Sequence, residues 1–324
     1  MASGGAACRG PHFDQMVSRN GYAWWYIDAV SDDKAHGLTL IAFIGSVFSP
    51  YYLRARRKSE GDPTHHVALN VALYGKKGHR WTMTERGRES LHQTVRSLAI
   101  GPSSLEWDGQ DLIIKIDEIT VPFPSRLKGT VRLTPSALMS SVFTLDSKGE
   151  HLWCPIAPIS RVEVRFEDGL SWQGNGYFDW NGGLSPLESS FKSWHWSRAS
   201  DQSGAVIFYD VSRRDGEEDG LALHVDPTGK VKSITPPPSA NLPSTGLWRI
   251  RRLTRSEVSA KCRIVKTLED TPFYARSLIT SHVDGKELLA MHESLYLDRF
   301  VSPLVQWMLP FRMPRRTGSF FIKS

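Results

Sequence analysis

Cysteine is sparse: Cys8, Cys154 and Cys262 are the whole complement, an odd number without CxxC spacing. That excludes a disulfide framework and fits a reducing compartment. Long apolar runs are missing as well. The longest, 38–48, is interrupted by Gly45 and Ser46 and falls short of the ~20 residues a membrane-spanning helix needs. Residues 1–10 are small and polar with no apolar h-region, so a cytoplasmic protein is expected, with any membrane contact peripheral. Metal and cofactor signatures are absent too. His292-Glu293-Ser294-Leu295-Tyr296 has Tyr296 where a zincin motif requires its second histidine, and His65-His66 has no matching ligand pair at metal spacing,. Gly174-Asn175-Gly176 lacks the third glycine and following helix of a dinucleotide loop, and no GxSxG elbow occurs,. An enzyme with this sequence is expected to use neither metal nor cofactor. Helix is scarce, with short ones expected only at 135–140 and 302–309.

Alternation of period two is abundant. In Val67, Leu69, Val71 and Leu73 one face is apolar, while His66, Ala68, Asn70, Ala72 and Tyr74 make the other, a strand closed by Gly75,. Similar patterns occupy 22–29, 38–48, 79–84, 112–119, 126–133, 160–167, 170–178, 191–199, 204–212, 220–225, 262–267, 274–281 and 288–297, separated by turn pairs such as Asp108-Gly109, Asp168-Gly169 and Asp284-Gly285,. A chain of 324 residues exceeds the usual single core,. The expectation is an all-β protein of two units, 11–184 and 185–316, divided at the aperiodic Gly/Ser/Pro stretch 181–186. The proline-rich segment 236–246 reads as a stiff loop inside the second unit,.

Forty basic residues against 34 acidic ones leave a net charge of +6. The excess is clustered in Arg54, Arg56, Arg57 and Lys58, in Arg249, Arg251, Arg252 and Arg255, and in Arg312, Arg315 and Arg316. Such clusters suit a solvated face or anionic lipid. No nucleic-acid-binding signature accompanies them, so no nucleic-acid partner is expected. The segment 303–316 joins Trp307, Met308, Leu309 and Phe311 to the last arginines. It reads either as a membrane-surface patch or as a terminal helix packed on the fold.

Two segments combine titratable and aromatic residues at strand spacing. His151 stands two positions before Trp153, and Tyr177 two before Asp179, so each pair shares one strand face. Side by side, the two strands would form a small aromatic acid–base site, suited to delivering a proton to an apolar substrate and shielding the resulting cation. Around it, Trp24, Trp25 and Tyr26 with Asp28 read either as a pocket wall or as an aromatic core strand. Asn70 on its polar strand face could bind substrate or water, and Trp194, His195 and Trp196 could line a pocket or serve structure alone.

These segments, with 21–29, 68–75, 83–88, 193–198, 209–211, 271–277 and 309–316 in the same order, resemble the carotenoid 1,2-hydratase (hydroxyneurosporene synthase) family of purple bacteria over roughly 11–316. The resemblance implies a pair of lipocalin-like β-barrels or half-barrels packed together, and addition of water to the C1–C2 double bond of an acyclic carotenoid. It also implies that Asp179 is the proton donor, that Trp153 faces the cation, and that His151 and Tyr177 orient or deprotonate water. On the pocket-lining reading of the residues themselves, Trp24, Trp25, Asn70, Trp194, His195 and Trp196 would bind the carotenoid, with the membrane as its source. Two other readings stay open on the same scaffold: a polyene cyclase or pericyclase in which Asp179 is no acid, and a non-catalytic carrier of apolar ligands.

Overall fold

Strand alternation in the sequence carries over into strands in space. The computed structural model describes residues 10–75 and 78–316. It divides into two compact units, 10–186 with 307–316, and 187–306. The first unit contains β1 (Tyr22–Ser31), β2 (Gly37–Ile44), β3 (Val67–Tyr74), β4 (Arg80–Arg86), β5 (Leu91–Gln93), β6 (Ser97–Ile100), β7 (Ser103–Trp107), β8 (Leu112–Ile119), β9 (Arg126–Pro135), β10 (Phe143–Thr144), β11 (His151–Phe166) and β12 (Ser171–Gly183). They form one 12-stranded sheet in the order β4-β3-β2-β1-β12-β11-β9-β8-β7-β6-β5, with β10 on the flank of β11.

This sheet curls into a half-barrel. Arg86 on β4 and Glu118 on β8, far apart in the strand order, meet across the inner face at 2.7 Å in a buried ion pair. The inner face is filled: Ala23, Trp25, Ile27 and Ala29 of β1 join Leu38, Leu40, Leu69, Val71, Ile114, Val131 and Phe178 in one apolar core. Because strand side chains alternate, Tyr22, Trp24, Tyr26 and Asp28 lie on the opposite face of the same strand.

Strand β11 runs for 16 residues, well beyond the expected 160–167. Pro155 and Pro158 hide it in the sequence, since proline cannot donate to a ladder. The pairing with β12 accommodates them by shifting register between Cys154 and Ala157 and again between Ala157 and Ser160,. No helix forms at 135–140, because Pro135 is the last residue of β9 and pairs with Ser160. A helix that the strand pattern concealed, α1 (Pro50–Arg57), starts where Ser49 accepts the amides of Tyr51 and Tyr52 and Pro50 fixes the first turn,.

The second unit contains β13 (Phe191–Asp201), β14 (Gly204–Arg213), β15 (Glu218–Val225), β16 (Val231–Ser233), β17 (Ser239–Leu242), β18 (Arg252–Arg255), β19 (Arg263–Asp270), β20 (Tyr274–Val283) and β21 (Lys286–Tyr296). Its sheet has seven strands in the order β16-β15-β14-β13-β21-β20-β19, beside a two-stranded β17-β18 ribbon. The ribbon occupies part of the segment expected to be a loop. A helix at Pro303–Met308 matches the expected 302–309.

From Trp307 onward the chain belongs to the first unit rather than the second. Its anchor is the edge of β4, where Glu85 and Arg315 form a parallel bridge. The Glu85 amide donates to Pro314 O at 2.9 Å, and the Arg316 amide donates to Glu85 O at 2.9 Å. Among the described residues no helix is long and apolar enough to cross a membrane.

The basic runs are only partly surface. Each sends arginine inward: Arg56 lies over the Tyr52 ring at 4.4 Å, and Arg252 donates to Pro243 O, Thr267 and Ser277. Arg315 pairs with the fully buried Glu85.

Candidate functional site: an aromatic carboxyl site on the outer face of the sheet

The register of the sheet assembles the site. One row across the outer face reads Met83, Asn70, Ile41, Tyr26 and Asp179. The next reads Glu85, Ala68, Phe43, Trp24, Asn181, Trp153 and Phe143, and a third joins Tyr22, Gly183 and His151. Strands β12, β11 and β1 therefore bring Asp179, Tyr177, Trp153 and His151 onto one face, as their two-residue spacings require.

Asp179 is the hub. Trp153 Nε1 donates to its Oδ2 at 2.9 Å, and Tyr177 Oη donates to the same oxygen at 2.8 Å. Asn181 Nδ2 lies 3.1 Å from Oδ1. Asn181 Oδ1 is buried without a hydrogen-bond partner. Rings surround the carboxyl group: Tyr26 meets Tyr177 edge-on at 6.1 Å, Trp24 tilts against Phe43 at 6.1 Å, and Phe143 lies 5.6 Å from Trp153. Asp179 is 4% exposed and Trp153 fully buried, so an apolar substrate here would meet a carboxyl group in a low-dielectric surrounding.

His151 forms a second centre. Its Nδ1 is 2.9 Å from Tyr22 Oη and its Nε2 is 3.2 Å from Ser185 Oγ. Burial pushes its pKa below the ordinary imidazole value, with Asp146 and Glu150 opposing the shift, so the neutral ring is favoured at neutral pH. Tyr177 thus belongs with Asp179 rather than beside His151.

The other expected site residues fall in different places. Trp24 is on the site face and stacks on Tyr22 at 4.8 Å. Trp25 is not: it points into the core, its ring 5.2 Å from Phe13 and its Nε1 donating to Pro11 O, because adjacent strand residues face opposite ways. Asn70 is on the site face, but its amide donates to Thr82 O at 2.8 Å. Trp194, His195 and Trp196 belong to the second unit. There His195 Nδ1 pairs with Ser294 Oγ at 2.8 Å and its ring stacks near His292. Burial, then His292, lowers the His195 pKa to about 3. Sequence reasoning passed over Tyr22, Asn181 and Ser185. A period of two counted outward from Trp24 and from Asp179 would have named the first two.

Among the described residues no group of three or more His, Cys, Asp or Glu side chains could hold a metal ion. What this face presents is a buried carboxyl group held by Trp153, Tyr177 and Asn181 and surrounded by aromatic rings. It defines the chain as a β-rich half-barrel protein with a buried aromatic carboxyl cluster on one sheet face. A crystal structure of an AttH-type protein from Nitrosomonas europaea shares the fold, with a TM-score of 0.59 at 14% identity over 91% of this chain and 98% of that one.

Residues 40–321 match the family model described as carotenoid hydratase CrtC, and the chain belongs to that family. It is 55% identical to an acyclic carotenoid 1,2-hydratase of Thiocapsa roseopersicina over 97% of this chain and 78% of that one. A second acyclic carotenoid 1,2-hydratase, from Cereibacter sphaeroides, is 43% identical over 86% of this chain and 99% of its own length.

Proposed function

We propose that this protein adds water across the C1–C2 double bond of acyclic carotenoids such as neurosporene and lycopene, as a hydro-lyase of carotenoid biosynthesis that needs no cofactor. The observation that carries the mechanism is the asymmetry at Asp179. Its Oδ2 already takes a hydrogen bond from Trp153 and another from Tyr177. Oδ1 takes a single longer bond, from Asn181 Nδ2 at 3.1 Å, and is the oxygen assigned the reactive proton. Delivery of that proton to C2 leaves a tertiary cation at C1. The rings of Trp153 and Trp24 lie on this face, and each contributes ~0.5–2 kcal/mol to a cation positioned over it in a dry site. Water attacks C1, and the His151 centre accepts the proton that the water loses. Tyr177 orients Asp179, and Tyr26, Phe43 and Asn70 line the substrate path.

The substrate is apolar, so the protein takes it from a membrane by peripheral contact on the cytoplasmic side. Trp307 and Phe311, 68% and 65% exposed, pack edge-to-face at 5.7 Å beside the exposed Arg312 and Arg316. That combination suits an anionic bilayer surface. Incubation of the protein with lycopene in detergent and ¹⁸O-labelled water tests the reaction. The expected product is a 1-hydroxy carotenoid carrying the label. A cyclised, isomeric product or unchanged bound polyene would refute hydration and favour a cyclase or a carrier.

A further inference from the structure

Hydration leaves a proton imbalance at the site. Asp179 gives one proton to carbon, the attacking water gives up another, and turnover continues only if the second is removed and the first replaced. Around His151 a continuous chain of hydrogen bonds leads toward the surface. Tyr22 Oη is 2.9 Å from His151 Nδ1, His151 Nε2 is 3.2 Å from Ser185 Oγ, and Ser185 Oγ donates to Glu150 Oε2 at 2.8 Å. Tyr22 and His151 are buried, whereas Ser185 and Glu150 are half-buried, so the chain crosses from the site face to solvent.

The directions of these bonds are set by the last one. The Ser185 proton is committed to Glu150, so Ser185 Oγ accepts from His151 Nε2–H. Nδ1 is then the bare nitrogen and accepts from the Tyr22 hydroxyl. The chain also depends on one backbone position. Tyr22 on β1 and His151 on β11 are separated by β12 and touch across it directly over Gly183. A Cβ at Gly183 would lie 2.3 Å from Tyr22 Cε1 and 2.8 Å from His151 Nδ1. Glycine is the residue that lets the two rings meet.

We infer that Tyr22, His151, Ser185 and Glu150 form a proton relay, with Tyr22 rather than His151 facing the attacking water. The inference rests on the hydratase reading. As water oxygen bonds to C1, its proton passes to Tyr22 Oη while the Tyr22 proton moves to His151 Nδ1. The Nε2 proton passes to Ser185, and the Ser185 proton to Glu150, which releases it to solvent. His151 is left as the other tautomer, protonated on Nδ1. Passage of one solvent proton inward along the same chain restores that tautomer and supplies the proton that Asp179 lost, through the water entering for the next turnover. No net charge accumulates, and no oxidant or reductant is required. Tyr22 is then a catalytic residue, and Ser185 and Glu150 are positioning residues that act through His151.

The test uses the full chain with lycopene in detergent, in H₂O and in D₂O. Glu150→Gln keeps a hydrogen-bond acceptor for Ser185 but cannot take up its proton. It should lower kcat about tenfold with KM unchanged, and raised concentrations of imidazole buffer should restore the rate; Ser185→Ala should behave likewise and Ser185→Thr should not. Tyr22→Phe should lower kcat for hydration about 100-fold with KM unchanged and without rescue by imidazole, because the group that faces the attacking water is itself lost. Parent-like rates in Glu150→Gln and Ser185→Ala would overturn the relay, as would losses that buffer leaves unrestored. Failure of the hydratase reading looks different: the parent protein itself would form no alcohol and take up no deuterium.

Discussion

Replacement of Asp179 by asparagine separates chemistry from folding more cleanly than any other change in the molecule. Asparagine keeps one oxygen, and the place for it is Oδ2, where both Trp153 and Tyr177 donate. The new NH₂ group then faces Asn181, whose Oδ1 is buried without a partner. A half-turn of the Asn181 amide offers that oxygen as acceptor. The Trp153 and Tyr177 donors stay satisfied, and the turned Asn181 exchanges one buried unpartnered group for another, so stability should change by less than ~1 kcal/mol,. Asp179→Ala is different, because it strands the Trp153 N–H, the Tyr177 O–H and an Asn181 N–H, at ~1–3 kcal/mol for each buried donor left without an acceptor. Chemistry should show the reverse contrast. Neither variant can deliver a proton, so both should lose at least ~100-fold in hydration, the usual effect of a missing general acid. Thermal melting of both variants, together with chromatographic detection of the 1-hydroxy product, measures both quantities. Asp179→Asn that hydrates within tenfold of the parent removes Asp179 as proton donor. Asp179→Asn that melts like Asp179→Ala refutes the Asn181 half-turn.

Gly183→Ala should abolish most turnover while the circular dichroism spectrum stays that of the parent, because the new methyl group wedges between Tyr22 and His151; unchanged kcat would show that the Tyr22–His151 contact is dispensable. Arg315→Gln removes the arginine partner of the fully buried Glu85, and with His66 still 2.9 Å from Glu85 the loss should reach up to ~3–5 kcal/mol in urea unfolding; a loss under ~1 kcal/mol would make that pair incidental. Replacing Arg312 and Arg316 together by Gln should weaken binding to anionic liposomes by about one to two decades at ~1 kcal/mol per arginine, and parent-like binding would move the membrane contact elsewhere. In the second unit, burial lowers the pKa values of His195 and His292 from 6.5 to about 3 and about 4. Both rings are neutral when folded and take up protons on unfolding below pH 6.5, so stability falls as pH falls from 6.5 toward 4. The slope is ~1.4 kcal/mol per pH unit for each histidine; a flat profile of unfolding free energy between pH 6 and pH 5 would contradict their burial.

Period-two alternation made the all-β character legible: in Val67–Tyr74 the positions Val67, Leu69, Val71 and Leu73 enter the apolar core and the others take the opposite face, although every position of the strand is buried. It also made the two halves of the site legible, since His151 with Trp153 and Tyr177 with Asp179 share faces by spacing alone. Spacing is a local property, and what it could not reach is instructive. Trp24 and Trp25 are equivalent as sequence, yet one lines the site and the other fills the core; only the assembled sheet shows which face is which. The 16-residue β11 was hidden by Pro155 and Pro158, whose lost ladder bonds are absorbed by register shifts that exist only between paired strands. Arg315, in sequence one more basic residue of the C-terminal cluster, becomes the partner of Glu85 about 230 positions away. Tyr22 meets His151 over Gly183 because β1, β12 and β11 are neighbours in the sheet, an adjacency of residues 129 apart that no periodicity encodes. The sequence by itself determined the strand faces and the residue types available on them. The pairing order of the strands, a long-range property set by how the whole sheet curls over its core, decided which of those residues meet.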